Sequence, residues 1–280
     1  MKSRLFVWFQ YLLPQHALSR LVLRATRVRT PWFKNALIRG FLRLYTIDMT
    51  EAAEADPFRY ASFNEFFTRA LKPDARTLAM ESREIACPVD GAISEAGQIE
   101  GARLLQAKGR HYTLEELLAA RGWAKHFEGG SFATIYLAPF NYHRVHMPLQ
   151  GRLRETVHVP GRLFSVNAAT ASLVPRLFAR NERVLTWFDT SFGEFALILV
   201  GALNVGSIAT VWAGDITPAP QRVVTALPPQ DVSLGRGAEL GRFNMGSTVI
   251  LLFQKDRARW HDDLRAGATV RLGQSLGTLA

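Results

Sequence analysis

Ser247, which follows a glycine at the start of an apolar run, is the side chain of this sequence best placed to react with its own backbone. Residues Thr248–Phe253 are β-branched or apolar and predict a buried strand. Gly246 leaves its carbonyl unshielded, so a fixed hydroxyl beside it can attack that carbonyl once a base takes the proton. The chain would then break between Gly246 and Ser247. A glycine bulge that merely leads into a core strand is the simpler alternative.

Two histidines and one aspartate are the candidate partners of that serine. His143 and His146 lie three residues apart in the aromatic segment 136–148, and histidine is the side chain best suited to proton transfer near neutral pH. Asp90 precedes a turn glycine at the end of the predicted strand 85–89. Core histidines and a structural turn are the alternatives for these positions. No cluster of Cys, His and acidic residues completes a metal site around the histidines, so no metal is predicted.

The composition is that of a globular protein with a sizeable core. Of the 280 residues, 48% are apolar and 21% are charged, which suits one or two domains. The single cysteine, Cys87, excludes an internal disulfide and is expected to be a small core residue. No window approaches the roughly 20 apolar residues that a membrane-spanning helix needs, and no signal peptide is expected.

The positive charge of the chain is concentrated in residues 1–47. This segment carries nine of the 34 Lys and Arg residues and no acid, which leaves 25 basic and 24 acidic residues in the rest. The rest of the chain is therefore nearly neutral, and its charge does not indicate a general nucleic-acid-binding surface. Apolar side chains recur in the segment at helical spacing between the basic ones, and Thr30 before Pro31 predicts a helix start. The apolar positions are Leu5, Trp8, Phe9, Leu12, Leu18, Leu21, Val22, Ala25, Phe33, Leu37, Phe41 and Leu44.

Basic amphipathic helices with Trp and Phe on the apolar face are typical of proteins that lie on an anionic membrane. A helical cap packed on the body, with solvated arginines, is the alternative.

The sequence after Pro73 predicts a β-rich domain. Short apolar runs bounded by Gly, Pro and Asn indicate an α+β fold, here with amphipathic N-terminal helices followed by mixed or antiparallel sheets. The expected strands are residues 85–89, 134–137, 195–200, 207–212 and 248–253, with 197–205 as part of a core strand pair. Short helices are expected at 62–69, which begins with a Ser-x-x-Glu capping pattern, and at 112–120. The expected domains are 1–47, which associates with membranes, and 48–280, which is catalytic.

The order and spacing of many short motifs resemble those of the phosphatidylserine decarboxylases, enzymes that make their own pyruvoyl cofactor. The resemblance covers most of the chain, and it is the set rather than any one motif that is specific. The motifs are residues 66–69, 71–73, 88–91, 142–148, 160–164, 166–167, 181–184, 200–202, 205–208, 239–243 and 246–248.

The resemblance implies a role for each candidate residue. Ser247 matches the serine that cuts the chain after Gly246, into parts 1–246 and 247–280, and becomes the pyruvoyl group. Asp90 and His146 match the acid and the histidine that complete a Ser–His–Asp arrangement for this cut. His143 matches a histidine implicated in the decarboxylation.

The implied activity is the decarboxylation of phosphatidylserine to phosphatidylethanolamine. The pyruvoyl ketone would take up the amine of the serine headgroup and accept electrons as carbon dioxide leaves, while Phe140 and Tyr142 would exclude water. A substrate with two acyl chains stays in the bilayer, which gives the basic helices a purpose. The implied partners are an anionic phospholipid membrane, at the cytoplasmic face of the inner membrane, the two packed chains themselves and a second copy in a homodimer.

Two positions depart from the pattern of this family. Met245 stands where Leu usually precedes Gly-Ser, and Arg236 stands where Lys usually precedes Gly. Methionine is nearly isosteric with leucine and arginine keeps the charge, so we expect self-cleavage to be slower or unchanged.

Three other functions suit parts of the sequence. A serine hydrolase would place its nucleophile in a Gly-x-Ser-x-Gly elbow between strand and helix, whereas Ser247 enters a strand. A non-enzymatic membrane module would explain residues 1–47 alone, and a decarboxylase of small molecules would not need the basic helices. An uncut chain that does not react with carbonyl reagents would favour the hydrolase or the module.

Overall fold

A computed structural model describes residues 2–79, 81–203, 207–217, 223–227 and 231–280. N-terminal helices are followed by a body that is mostly strand, which confirms the predicted α+β class. The helices are α1 (Lys2–Leu12), α2 (Gln15–Thr26), α3 (Pro31–Leu44), α4 (Phe63–Phe67), α5 (Leu114–Leu117), α6 (Ala124–Phe127), α7 (Ala168–Leu173) and α8 (Leu177–Arg180). The strands are β1 (Glu84–Ala86), β2 (Gly91–Gln98), β3 (Arg103–Ala107), β4 (Arg110–Thr113), β5 (Ser131–Tyr136), β6 (Arg144–His146), β7 (Gly151–Val159), β8 (Arg183–Thr190), β9 (Gly193–Val200), β10 (Ile208–Thr210), β11 (Gly214–Asp215), β12 (Thr225–Ala226), β13 (Ser233–Leu234), β14 (Glu239–Phe243), β15 (Thr248–Phe253), β16 (Ala258–Trp260), β17 (Thr269–Val270) and β18 (Ser275–Leu279).

The largest sheet carries most of the core and is antiparallel throughout. Among the described residues it has nine strands, in the order β12-β7-β8-β9-β15-β5-β2-β17, with β13 also pairing with β7. Strand β15 is central, since all of Thr248–Phe253 pairs with β9 on one side and β5 on the other. Every residue of β15 is buried, which explains its unbroken apolar run and confirms the predicted strand.

A smaller antiparallel sheet has the strand order β11-β10-β14-β6. Strands β5 and β15 belong to the large sheet, whereas β6 and β14 belong to the small one. Residues 137–143 and residues 244–247 therefore both cross between the sheets. The two connections meet through hydrogen bonds from Leu137 N to Ser247 O (2.8 Å) and from Phe243 N to His143 O (3.0 Å).

Other sequence-based boundaries are confirmed in part. Strands β5, β9 and β10 fall within or across the predicted runs 134–137, 195–200 and 207–212. The predicted helix 62–69 begins with Ser62 as the cap but already ends at Phe67. The prediction of a helix from residue 112 is wrong, because Tyr112 pairs with Leu104 in a β-hairpin and the helix starts only at Leu114.

Two further predictions concern strand ends. The predicted run 85–89 is a strand only as far as Ala86, and Cys87 is buried as expected. In the predicted strand pair 197–205, β9 ends at Val200. Residues 204 and 205 of that pair, and 205–206 of the motif 205–208, lie outside the described residues.

The N-terminal helices bury several polar side chains and expose many apolar ones, although Val7 and Ile38 are buried. Gln10, Gln15, Ser19, Thr26 and Lys34 are buried against the body. The exposed large apolar side chains of these helices include Leu5 (69% exposed), Trp8, Phe9, Leu12, Leu21, Trp32 and Leu44. Helix α3 begins at Pro31, as predicted. In the described ranges no helix combines the length and the hydropathy needed to cross a bilayer.

Candidate active site

Ser247 lies in a short connection whose two ends are held by strands. Residues 244–247 join β14 to β15, and Asn244 is fixed by bonds from its backbone N–H to Ser207 O (2.9 Å) and from its side-chain amide to Asp215 (3.2 Å). Ser247 is fully buried, and its Oγ has no hydrogen-bond partner among the described residues. A buried hydroxyl without a partner costs free energy, and Thr248 Oγ1 shares this property. The position of Ser247 directly after Gly246 is what makes it the candidate nucleophile.

His143 is the imidazole that lies beside this connection. It is fully buried, and its Nδ1 lies 2.8 Å from Asn141 O. A nitrogen that faces a carbonyl carries the proton, so Nε2 is the free acceptor, and it has no partner within the described chain. A Cβ placed on Gly246 would lie 3.3 Å from this Nε2. An unpartnered base and an unpartnered hydroxyl thus border the same short segment.

The surroundings of His143 keep it neutral. Burial lowers the pKa of His143 to about 3, and the positive charge of Arg69 acts in the same direction, against the hydrogen bond to Asn141. The ring of Phe67 packs on the imidazole with centroids 4.1 Å apart. The neutral imidazole keeps a free lone pair on Nε2, and its lowered pKa makes it a weaker base than a histidine in water.

We expect Gly246→Ala to slow self-cleavage by roughly tenfold or more, because small displacements of reacting groups have large kinetic effects. The new Cβ would lie 3.3 Å from both His143 Nε2 and Leu137 O, closer than most real Cβ contacts, and would push the imidazole away. A gel time course of precursor and products after synthesis in vitro measures the rate. Gly235→Ala is the matched control, since no atom lies within 4 Å of its Cβ. Equal rates for the two variants would contradict this role of Gly246.

A largely apolar cavity of about 320 Å³ opens beside Gly246. It is lined by Phe41, Tyr45, Phe67, Tyr136, Leu137, Pro139, Ser165, Val166, Ala202, Leu203, Met245 and Gly246. Sequence reasoning gave no site role to Phe41, Tyr45, Tyr136 or Ser165. Their available signals were weak: Phe41 belongs to an apolar helix face, and Ser165 lies between two family-like motifs. The cavity thus reaches Gly246, the residue directly before Ser247.

His146 faces a different cavity. Its Nδ1 lies 2.8 Å from Gly237 O and its Nε2 lies 3.0 Å from the hydroxyl of Tyr142. Residues three apart in an extended strand point to opposite sides, so β6 and the residue before it turn the two histidines away from each other. Tyr142 and His146 line a cavity of about 380 Å³ together with Arg76, Arg144 and Glu239. Burial is the main cause of a lowered pKa of His146.

Asp90 pairs with an arginine rather than with His146. Its carboxylate accepts hydrogen bonds from Arg76 Nε (3.1 Å), Arg76 Nη2 (2.5 Å) and Leu272 N (2.8 Å). Arg76 in turn contacts Glu51 at 2.8 Å. The expected hydrogen bond between Asp90 and His146 is therefore absent from this structure, as is a contact that would let His146 take the Ser247 proton. The physical reason is that a guanidinium outcompetes a neutral imidazole for a carboxylate.

The two aromatic residues expected to exclude water also lie apart. Phe140 is about half exposed and packs near Tyr45, with ring centroids 6.3 Å apart. Tyr142 is buried, but it belongs to the cavity of His146 and not to that of Gly246. The walls beside Gly246 are instead formed by Phe41, Phe67 and their neighbours.

Comparisons with known proteins identify the family of the chain. A family model described as phosphatidylserine decarboxylase matches residues 63–278, and a second, described as PSD, matches residues 5–46. The chain belongs to the phosphatidylserine decarboxylase family. It is 54% identical over 278 residues to the phosphatidylserine decarboxylase proenzyme of Methylococcus capsulatus, covering 98% of this chain and 96% of that protein. It is 52% identical to the protein of the same name from Azotobacter vinelandii, over 99% of both chains. It is 54% identical to that of Bordetella bronchiseptica, over 98% of this chain and 94% of the other.

The larger family match spans the fold from α4 to β18, so it contains Asp90, both histidines and Ser247. The smaller match covers most of α1–α3, the helices that expose apolar side chains. Together the two matches cover both the body and the N-terminal helices.

Proposed function

We propose that this chain is a precursor that cuts itself between Gly246 and Ser247 and then converts phosphatidylserine to phosphatidylethanolamine. The observation that supports this most directly is that the buried Ser247 Oγ, which has no partner among the described residues, directly follows Gly246, and that the free Nε2 of His143 lies beside Gly246, in a chain of this family. The similar proteins are named proenzymes, which agrees with a precursor. A serine hydrolase is disfavoured because Ser247 precedes a central strand and not a helix.

The self-cleavage uses atoms of the chain and one water molecule. A base removes the Oγ proton of Ser247, Oγ attacks the carbonyl carbon of Gly246, and the amide nitrogen leaves, so an ester replaces the amide. Loss of the Ser247 α-proton then expels the Gly246 carboxylate and leaves dehydroalanine. Water hydrolyses the dehydroalanine to a pyruvoyl group and ammonia.

Strand pairing would keep the two products together. The segment 247–280 contains β15 to β18, and its strands pair with β5, β9, β2 and β1, all of which lie in the segment 1–246. Strand β15 pairs along its whole length on both sides, with β5 and with β9. The cut would therefore free one end of residue 247 without unfolding the sheet around it.

The residues present fit a pyruvoyl group at position 247. The backbone of β15 and the N–H of Leu137, which donates to the carbonyl of residue 247, would hold it at the cavity of Gly246. Such a group supplies an electron sink for the loss of carbon dioxide from an amine-bearing headgroup. His143 would deliver a proton to the carbon that loses carbon dioxide. An anionic substrate nearby would raise the pKa of His143 and favour the protonated form that can do so.

Asp90 and His146 stay candidates for the self-cleavage on the strength of the resemblance. To serve there, His146 has to leave Tyr142 and Gly237, and Asp90 has to leave Arg76. Breaking these hydrogen bonds costs free energy, so we expect self-cleavage to be slow compared with turnover of the cut enzyme.

The exposed apolar face of α1–α3 supports binding to an anionic membrane. Membrane surfaces accept apolar side chains such as Leu5 and Trp8 below the headgroups and attract arginine and lysine by charge. On the buried side of the same helices, the body donates hydrogen bonds to the side-chain oxygens of Gln10 and Gln15. From the resemblance we also propose the cytoplasmic face of the inner membrane as the location and a homodimer as the assembly, which light scattering of the solubilised protein tests.

Replacing Leu5 and Trp8 by serine is expected to weaken binding to vesicles of phosphatidylcholine and phosphatidylglycerol by about tenfold or more, because each buried large apolar side chain contributes about 1.5–3 kcal/mol. Co-sedimentation measures the binding. Val211→Ser, which changes an exposed apolar residue of the body, is the control. Point variants are better than removal of residues 1–47, because Phe41 lines the cavity. Unchanged sedimentation of the double variant would exclude this face as the anchor.

Intact-mass measurement before and after borohydride reduction tests the proposed function as a whole. We expect two chains divided between Gly246 and Ser247, the smaller one blocked at its N-terminus and heavier after reduction. An active protein with one uncut chain and no reducible carbonyl would overturn the proposal and favour a hydrolase.

A further inference from the structure

Two glutamines at the junction of α1 and α2 are buried, although binding to a membrane surface does not require buried amides at this position. Gln10 is fully buried, and Gln15 is nearly so. They are linked to each other, since Gln15 Nε2 donates to Gln10 O at 2.8 Å. The neighbouring residues of α1 on either side, Phe9 and Tyr11, are exposed. The two amides therefore mark the point where the helical layer is fixed to the body.

Both glutamines accept hydrogen bonds from backbone N–H groups of one loop. Ser165 N donates to Gln10 Oε1 at 2.7 Å, and Leu163 N donates to Gln15 Oε1 at 2.9 Å. Gln10 Nε2 also contacts Thr170 Oγ1 at 3.4 Å. The donors lie about 150 residues away in the sequence, so these contacts are purely tertiary. We call Gln10 and Gln15 the glutamine latch.

The loop that the latch holds is a wall of the candidate active site. Ser165 and Val166 line the cavity beside Gly246. Between the two latched N–H groups, Phe164 is buried and is clamped by Asn181, which accepts from Phe164 N (3.1 Å) and donates to Phe164 O (2.8 Å). The clamp fixes the body side of the loop, and the latch fixes the side that faces the helices.

Helix α3 reaches the same cavity from another direction. Phe41 lines it and packs on Phe67 with ring centroids 5.8 Å apart, and Phe67 packs on His143 at 4.1 Å. Tyr45, just after α3, lines it as well. The N-terminal segment thus lines the cavity directly with Phe41 and Tyr45. It also holds the backbone of the loop that contains Ser165, through the glutamine latch.

We propose that Gln10 and Gln15 are positioning residues that hold the Ser165–Val166 wall in the shape that receives the substrate headgroup. The N-terminal helices would then be a structural part of the substrate cavity as well as an anchor. This inference rests on the proposed function. It predicts that the latch matters even for a substrate that is not in a membrane, because the latched loop lines the cavity beside Gly246.

The test is the double variant Gln10→Leu with Gln15→Leu, which keeps side-chain size and removes the acceptors. The substrate is phosphatidylserine with two six-carbon chains, used as dissolved monomers, and each rate is normalised to the amount of cut enzyme. We expect complete self-cleavage, sedimentation with vesicles within about twofold of the unmodified protein, and a KM raised by about tenfold with a smaller change in kcat. Hydrogen–deuterium exchange of the peptide covering 161–167 should be faster in the variant.

Two further variants separate positioning from general damage. Gln10→Glu keeps an acceptor for Ser165 N and is expected to keep a KM close to that of the unmodified protein. Gln98→Leu removes an amide that bonds Ser131 in the large sheet, outside the residues that line the cavity, and is the matched control. If the double variant does not fold, the single variants Gln10→Leu and Gln15→Leu are measured in the same way.

The outcomes distinguish the two proposals. An unchanged KM and unchanged exchange in the latch variants would overturn the latch, and so would a loss of vesicle binding with normal kinetics on the dissolved substrate. Failure of the unmodified, cut protein to decarboxylate either form of phosphatidylserine would instead overturn the proposed function.

Discussion

Ser247→Ala should yield a folded chain of 280 residues that stays uncut and has no measurable decarboxylase activity. The substitution removes the only atom of residue 247 that can attack the Gly246 carbonyl, and loss of a nucleophile lowers rates by a factor on the order of 10⁶ in serine enzymes. The fold should persist, because Oγ makes no hydrogen bond to any described residue and β15 is held on both sides. Intact mass shows whether the chain is uncut, and the melting temperature shows whether the fold persists.

The neighbouring hydroxyl provides the control for Ser247→Ala. Thr248 is also fully buried with an unpartnered Oγ1 among the described atoms, so Thr248→Val removes a hydroxyl one residue away without changing shape. We expect normal cleavage in this variant. Cleavage of Ser247→Ala at the usual site, or a block in Thr248→Val alone, would contradict the assignment of the nucleophile.

His143→Gln should lower the decarboxylation rate per cut molecule by about 100-fold or more, the usual contribution of a general acid or base. The reason is geometric, since the free Nε2 of His143 lies beside Gly246, and Gly246 lines the cavity. Decarboxylation is measured as carbon dioxide released from phosphatidylserine labelled in the headgroup carboxylate. Self-cleavage is followed separately by mass.

His146→Gln is the paired variant, and it should accumulate the uncut precursor, as the resemblance implies. His126→Gln, which changes a partly exposed histidine paired with Glu194, is the control for both. If His146→Gln cleaves normally while His143→Gln does not, the base of the self-cleavage is the imidazole beside Gly246. Full decarboxylase activity in His143→Gln would exclude that residue from the chemistry.

The variants of the two histidines address the point at which sequence and structure differ most. Residues three apart can share a site on an irregular loop but not on an extended strand, and β6 is a strand. The three residues of β6 form a strand because they pair with β14, which lies about 95 residues further along the chain. The pairing of Asp90 with Arg76 is likewise a tertiary fact, since charged residues 14 positions apart give no local signal of contact.

The sequence by itself determined those features whose cause is local. The continuous apolar run Thr248–Phe253 could only be a buried strand, Pro31 after Thr30 began a helix, and the basic apolar helices were visible from their spacing. The order of the motifs was enough to indicate the family. Each of these follows from side-chain type and short-range geometry.

The tertiary structure alone decided which groups meet. It placed His143 and not His146 beside Gly246, gave Asp90 to Arg76, and brought Gln10 to the loop of Ser165. Such contacts join residues whose separation in the chain carries no information about distance in space. They arise where two sheets and a helical layer converge, and only the packing of those elements fixes which buried polar group finds a partner and which, like Ser247 Oγ, is left without one.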